Sequence, residues 1–187
     1  MTDFMENVAN ATRAMRKLFP ETPLQKNEFL SNLYSAEIYL KREDLSPVRS
    51  YKVRGAFNAM QKALSHSDKP KVFVCASAGN HAQGMAFACR HFGVRGVIFM
   101  PVTTPGQKII KTAAFGGKFI EIRLEGDYFD DTLIAAKAYA SEVSGKFLPP
   151  YDSPDVIEGQ ASIAQEIRQQ LPQKIDYMIV PVGGGGL

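Results

Sequence analysis

From residue 71 onward the apolar positions change period at short intervals. "KVFVCAS" (71–77) is a β-branched run, and in "HAQGMAFACRHFG" after it Met85, Ala88, Cys89 and Phe92 recur at helical spacing until Gly93 stops the pattern. That predicts one strand and one helix. "GVIFMP" (96–101) reads as a strand, and "TPGQKIIKTAAFG" as a helix with Thr104 as N-cap, Pro105 as first helical residue and Gly116 at its end. "GKFIEIRL" (117–124) predicts a third strand, "DYFDDTLIAAKAYASEVSG" a long helix with acidic residues in its first turn, and "KFLPPYD" a short fourth strand. "SPDVIEGQASIAQEIRQQL" reads as a further helix leading into a last strand, "YMIVPV". Strands and helices alternating through short links predict an α/β fold, a parallel sheet covered by helices on both faces.

The first 70 residues follow another plan. An amphipathic helix is expected over 3–18, then a loop with Pro20 and Pro23, then strand pieces around "PLQKN" and "EIYLKRE". Pro47 forbids an early start to the next helix, and Ser50 is placed to cap one over 51–64. Lys52 then falls in its first turn, where the helix dipole disfavours a cation by a few tenths of a kcal/mol on a solvated surface. Alone, Lys52 reads like Lys62 or Lys111, an ordinary surface lysine.

Composition narrows the function classes. The 187 residues are 45% hydrophobic and 22% charged, enough for a real core. The net charge of +3 is spread rather than gathered into a basic run, so nucleic acid is not an expected partner. Cys75 and Cys89 lie within a strand-like and a helix-like stretch, with neither metal-site nor disulfide-framework spacing, which fits a reducing cytoplasm. No segment approaches the roughly 20 apolar residues of a membrane span, and the N-terminus has no signal-peptide core.

Two more polar clusters stand where α/β folds place ligands, after strands. "SAGNHAQG" (77–84) joins the first strand of the alternating region to its helix, and Ser77, Gly79, Asn80 and His81 there could turn N–H groups and short side chains to an anion such as a carboxylate. It reads equally as a tight turn in which Asn80 bonds its own backbone and His81 faces solvent. "GGGG" (183–186) can wrap N–H groups around a phosphate, although as a sequence it is also that of a flexible linker.

In order along the chain, "SYKVRGAF", "ASAGNHAQG" and "VPVGGGGL" resemble the cofactor lysine, the substrate-carboxylate loop and the phosphate loop of the fold type II pyridoxal-phosphate enzymes. Within these the chain is most similar to the threonine dehydratases (threonine ammonia-lyases). "YLKREDLSPVRSYKVRGA", "MPVTTPGQKI" and "YDSPDVIEGQASIAQEI" extend the resemblance over nearly the whole sequence. The resemblance implies a tryptophan-synthase-β-like fold, pyridoxal 5'-phosphate as cofactor and no metal. It implies that Lys52 is the catalytic residue that attaches the cofactor. Asn80 falls where an asparagine bonds the cofactor's phenolic oxygen, Tyr51 near its ring, and Gly183, Gly184, Gly185, Gly186 and Leu187 at its phosphate. Ser77, Ala78, Gly79, Asn80 and His81 match the segment that binds the substrate carboxylate. An attacking lysine must be neutral, so Arg49 or Arg54 nearby, or burial, is expected to lower its pKa.

The implied reaction is β-elimination of L-threonine to 2-oxobutanoate and ammonia, the first step toward isoleucine. A serine dehydratase is the neighbouring alternative. Related serine racemases carry a serine, as second base, at the position of Ala78, which has no proton to give. Cysteine and threonine synthases more often show Asp where this chain has Val53. One departure from the family pattern is Ala161 and Ser162, where Gly-Thr is common, which puts packing or ion binding near that helix in question. Family members continue well past the glycine loop, so the resemblance implies an N-terminal part with an incomplete large domain: 1–70 and 151–187 in the large domain, 71–150 in a small one. It further implies a cytoplasmic homo-oligomer acting on a small amino acid. A non-catalytic fragment serving as an interaction module is the reading from another class.

Overall fold

The structure, a computed structural model, describes residues 4–187. Four parallel strands form its centre in the order β5-β4-β3-β6: β3 (Val72–Ala76), β4 (Arg95–Met100), β5 (Ile120–Leu124) and the two-residue β6 (Lys146–Phe147). The alternation of β3 decides what each face meets. Phe73 and Cys75 point toward α3 (Lys52–Ser65) and α4 (Asn80–Phe92), whose Ala56, Met60, Met85 and Cys89 complete the main core. Val72, Val74 and Ala76 point the other way, onto Ala136 and Ala140 of α6 (Phe129–Glu142). α5 (Gly106–Gly116) links β4 to β5, and α7 (Pro154–Gln170) follows β6. A third cluster seats Ala11 and Met15 of α1 (Phe4–Met15) against Val53 and Phe57 of α3.

Glycine controls how tightly these elements meet. Gly93 ends α4 in the left-handed region (φ 67°), its N–H returning to Cys89 O, as the sequence predicts. Gly159 of α7 lies so close to α3 that a Cβ there would sit 2.5 Å from Arg54 O and 2.7 Å from Gly55 Cα. The two helices therefore touch backbone to backbone.

Several elements depart from the sequence expectations. Pro105 is the cap of α5 rather than its first residue, with an extended ψ of 135°, and no side chain caps this helix. Residues 117–119 form a short 3-10 turn before β5. The strand pieces near the N-terminus pair as β1 (Leu24–Lys26) with β2 (Tyr39–Lys41), antiparallel, but α2 (Glu28–Tyr34) between them was not expected. Residue 3 of the expected first helix lies outside the described residues. The anticipated last strand is not formed: 177–182 pairs with no strand, and Tyr177, Ile179 and Val182 are 90%, 97% and 83% exposed. An apolar run becomes a strand only where a neighbouring backbone offers hydrogen bonds, and none lies beside it here.

Candidate active site

Lys52 opens α3, and no side chain closes that helix end; Tyr51 at the cap is already helical (φ −65°, ψ −17°). Ser50, expected as the cap, donates its own N–H to Ser46 Oγ (2.9 Å) while its hydroxyl finds no partner. Arg49, just before it, is held at φ 58°, a conformation few non-glycine residues adopt. The half-buried Lys52 amine donates to Pro150 O at 2.7 Å and lies 5.2 Å from the centre of the Tyr51 ring. Its pKa is lowered, as expected, and burial is the cause. Neither arginine supplies the shift: Arg49 is exposed, and the charge of Arg54 is spent on carboxylates.

The glycine loop joins this lysine in space. Tyr51, Lys52, Tyr151 and residues 181–187 line one cavity of about 240 Å³. Gly185 adopts φ 78°, and a Cβ on Gly183 or Gly185 would meet nothing within 4 Å, so this face of the loop is open. The other face is closed by Tyr151: a Cβ at Gly184 would overlap its ring, and one at Gly186 would lie 2.7 Å from its Cβ. Tyr151 and Pro150 were not singled out in the sequence; an aromatic residue after two prolines carries no motif of its own.

The 77–81 turn sits beside Lys52 but not in that cavity. Gly84 brings α4 against the start of α3, where a Cβ would stand 3.0 Å from Lys52 O and 3.1 Å from Val53 Cα. Asn80 is exposed as the first residue of α4, Gly79 is its cap, and no side chain satisfies the N-terminal amides. Ser77, Ala78 and Gly79 are half-buried, with Ser77 Oγ accepting from Gly79 N–H at 3.2 Å. This leaves backbone donors at a helix N-terminus, suited to a carboxylate. The His81 side chain does not face them. It is 3% exposed and its Nε2 bonds Leu148 O at 2.9 Å.

A buried polar hub fixes the helix that carries Lys52. The fully buried Arg54 donates to Glu166 through both terminal nitrogens (2.8 and 2.9 Å), to Glu43 through Nε and one terminal nitrogen (2.9 and 2.8 Å), and to Ser162 Oγ (2.9 Å). Lys41 and Arg16 also reach Glu166, at 2.6 and 2.5 Å. Burial would raise the Glu166 carboxyl, but Arg54 and Lys41 more than reverse this and hold it below the usual range. Ser162, where the resemblance left ion binding in question, uses its hydroxyl for Arg54. Lys62, read as an ordinary surface lysine, pairs with Asp155 and with Glu158 (2.7 Å).

Other chemistries find little support. Cys75 and Cys89 are buried and their thiols pushed up, Cys89 to about 12, so neither is a ready nucleophile. Among the described residues no group of His, Cys, Asp and Glu could hold a metal, and no helix is long and apolar enough to cross a membrane.

A family model described as "Pyridoxal-phosphate dependent enzyme" matches residues 15–187. The chain belongs to this family. Among curated members, the L-threonine dehydratase biosynthetic IlvA of Bacillus subtilis is 46% identical over 183 residues, covering 98% of this chain and 43% of that protein. The Lactococcus lactis protein of the same name is 45% identical over 185 residues, covering 97% and 44%. The processed form of threonine deaminase isoform 2 from Solanum lycopersicum superposes with a TM-score of 0.87 at 38% identity, over 98% of this chain and 49% of that one. A pyridoxal 5'-phosphate-dependent aspartate racemase superposes at 0.90 with 28% identity, over 97% and 55%. The chain thus spans less than half the length of these curated relatives. The tryptophan-synthase-β-like α/β fold expected from the sequence is the fold observed.

The residues present fit the family's cofactor at two points. Lys52 offers a half-buried amine of lowered pKa, and the loop that shares its cavity presents an open glycine face with one left-handed residue, a backbone shape suited to phosphate oxygens.

Proposed function

We propose that the protein converts L-threonine to 2-oxobutanoate and ammonia, the water lost from the α- and β-carbons being taken up again when the resulting enamine, as its imine, is hydrolysed, with pyridoxal phosphate held between Lys52 and the glycine loop. The observation that carries this reading is the meeting of Lys52 with residues 183–186, remote in sequence, around one cavity. Relatives at 45–46% identity, named as threonine dehydratases, support the choice of substrate.

Lys52 would hold the cofactor through Nζ, and the amides of Gly183, Gly184, Gly185, Gly186 and Leu187 would bind its phosphate. Once bound, pyridoxal phosphate supplies an electron-withdrawing ring that takes up the charge left when the substrate loses its α-proton. Lys52 Nζ, whose pKa burial lowers, accepts that proton. Amides of the 77–81 turn would hold the substrate carboxylate, and Asn80, exposed at the start of α4, would bond the cofactor ring. Tyr51 and Tyr151 wall the cavity against water. Ala78 offers no second proton donor, which favours elimination over racemisation.

Residues 71–150, which contain all four strands of the parallel sheet, form the small domain, and 1–70 with 151–187 belong to the large one. The whole enzyme is a cytoplasmic homo-oligomer. Addition of pyridoxal phosphate, borohydride reduction and peptide mapping should place the label on Lys52, and the full gene product should release 2-oxobutanoate from L-threonine. Label scattered over Lys62, Lys111 and other surface lysines, or full activity after Lys52→Ala, would overturn the assignment.

A further inference from the structure

The Lys52 amine is held by a backbone carbonyl, and what holds that carbonyl is the question the site leaves open. Pro150 follows Leu148 and Pro149, and this short strap is tied down at its start. Leu148 N–H donates to Val74 O of β3 at 2.8 Å, and Leu148 O is bonded by His81 Nε2 at 2.9 Å. Two prolines follow, each with a fixed φ and no N–H, so the strap transmits its anchored position with little slack. Its end is Pro150 O, 2.7 Å from Lys52 Nζ.

The protonation of His81 is dictated by its partner. A carbonyl only accepts, so the proton must sit on Nε2, which leaves Nδ1 bare and, in this structure, unpartnered. Burial, together with the charge of Lys52, pushes the imidazole down to about 4 against the opposing pull of the Leu148 bond. His81 is therefore a neutral N–H donor throughout the neutral pH range. A cationic ring here would stand beside the lysine and repel its ammonium form.

We propose that His81 is a positioning residue that sets Lys52: through Leu148 and the two prolines it places the carbonyl against which the lysine amine is aimed. This rests on the reading of Lys52 as the cofactor lysine only for its functional meaning; the mechanical link concerns this chain alone. It also assigns the His81 ring to the strap rather than to the substrate carboxylate, which the backbone amides of α4 can still bind.

The test compares His81→Leu, which removes the donor, with His81→Gln, whose side-chain amide can restore it, and with Pro149→Gly, which slackens the strap without touching His81. In cofactor-free chain, the pH midpoint of Lys52 acetylation is followed by peptide mass spectrometry, with Lys111 as internal reference. Tyr51, Tyr151 and His81 are titratable groups beside Lys52, and neither tyrosine is altered. His81→Leu and Pro149→Gly should let water reach the amine and raise its midpoint toward the ordinary lysine value by about half a unit or more, roughly a threefold loss of neutral amine, while Lys111 is unmoved. His81→Gln should return it to the parent value. A Lys52 midpoint unchanged in Pro149→Gly and His81→Leu, or a shift in His81→Leu that His81→Gln does not reverse, would overturn the proposal. If His81→Leu does not fold, Pro149→Gly against the parent decides it. Borohydride labelling away from Lys52 would sink the cofactor reading and leave this result standing.

Discussion

Replacing Glu166 by Gln removes one charge and almost no volume from the centre of the hub. In the parent, the carboxylate accepts two bonds from Arg54, one from Lys41 and one from Arg16. With Gln there, Arg54 keeps only the carboxylate of Glu43, Lys41 and Arg16 lose the carboxylate they bonded, and the new amide N–H faces donors. Arg16 is partly exposed and can swing to water; Arg54 is fully buried and cannot. One unit pair at about 4 Å is worth roughly 4 kcal/mol at an effective dielectric of 20, and removing one member of a buried pair typically costs about 3–5 kcal/mol. Relaxation of Arg16 and Lys41 trims the loss, so about 3–5 kcal/mol is expected rather than the sum over pairs. In urea, with a slope near 2 kcal/mol/M, the midpoint should fall by about 1.5–2.5 M. Glu121→Ala is the companion variant: Glu121 bonds Arg95 and Arg123 at the exposed edge of the sheet and should cost less than about 1 kcal/mol. A Glu166→Gln loss no larger than that of Glu121→Ala would refute the view that α3 is held by this hub.

Acid should unfold the chain in two separable stages. The folded His81 pKa, about 4, lies below its unfolded value of about 6.5, so stability is lost as pH falls between them, by up to about 3 kcal/mol; His81→Gln should flatten urea midpoints across this window, and an unchanged slope would contradict it. The folded Glu166 pKa is also depressed, so its contribution is complete above the unfolded value near 4.3 and disappears as pH falls through the lower folded one; Glu166→Gln should lose this deeper dependence and keep the His81 stage. Gly84→Ala should cost about 1–3 kcal/mol, because the new methyl meets the backbone of Lys52 and Val53 and not a flexible side chain; a thermal midpoint equal to the parent's would show that α4 does not press on α3 there.

The alternating half of the fold was legible because each strand and helix there buries a face, so period and burial agree: Phe73 and Cys75 go one way, Val72 and Val74 the other. Elements whose apolar residues are not buried misled. Phe29, Leu33 and Tyr34 of α2 are exposed, so their spacing reported no core, and 177–182 read as a strand on composition alone. Of the site, Lys52 and the glycine loop stood out through their order along the chain, and in the fold they line one cavity. The destination of the His81 ring was not, since only the return of Leu148 to β3 brings an acceptor to it. Arg54 and Glu166 were hidden for a different reason: charged residues in helices signal surface, and only the folded hub shows that each has its counter-charge within reach.

The unpaired stretch 177–182 also has a colloidal consequence. Its six residues are uncharged and rich in β-formers, the composition that lets identical chains stack edge to edge. Pro181 is the one interruption, since it cannot donate to a growing ladder. Solutions of this chain should therefore be limited by self-association through that stretch, and a charge introduced at Ile179, the most exposed of these apolar side chains, is the substitution that would raise its solubility with least disturbance to the core.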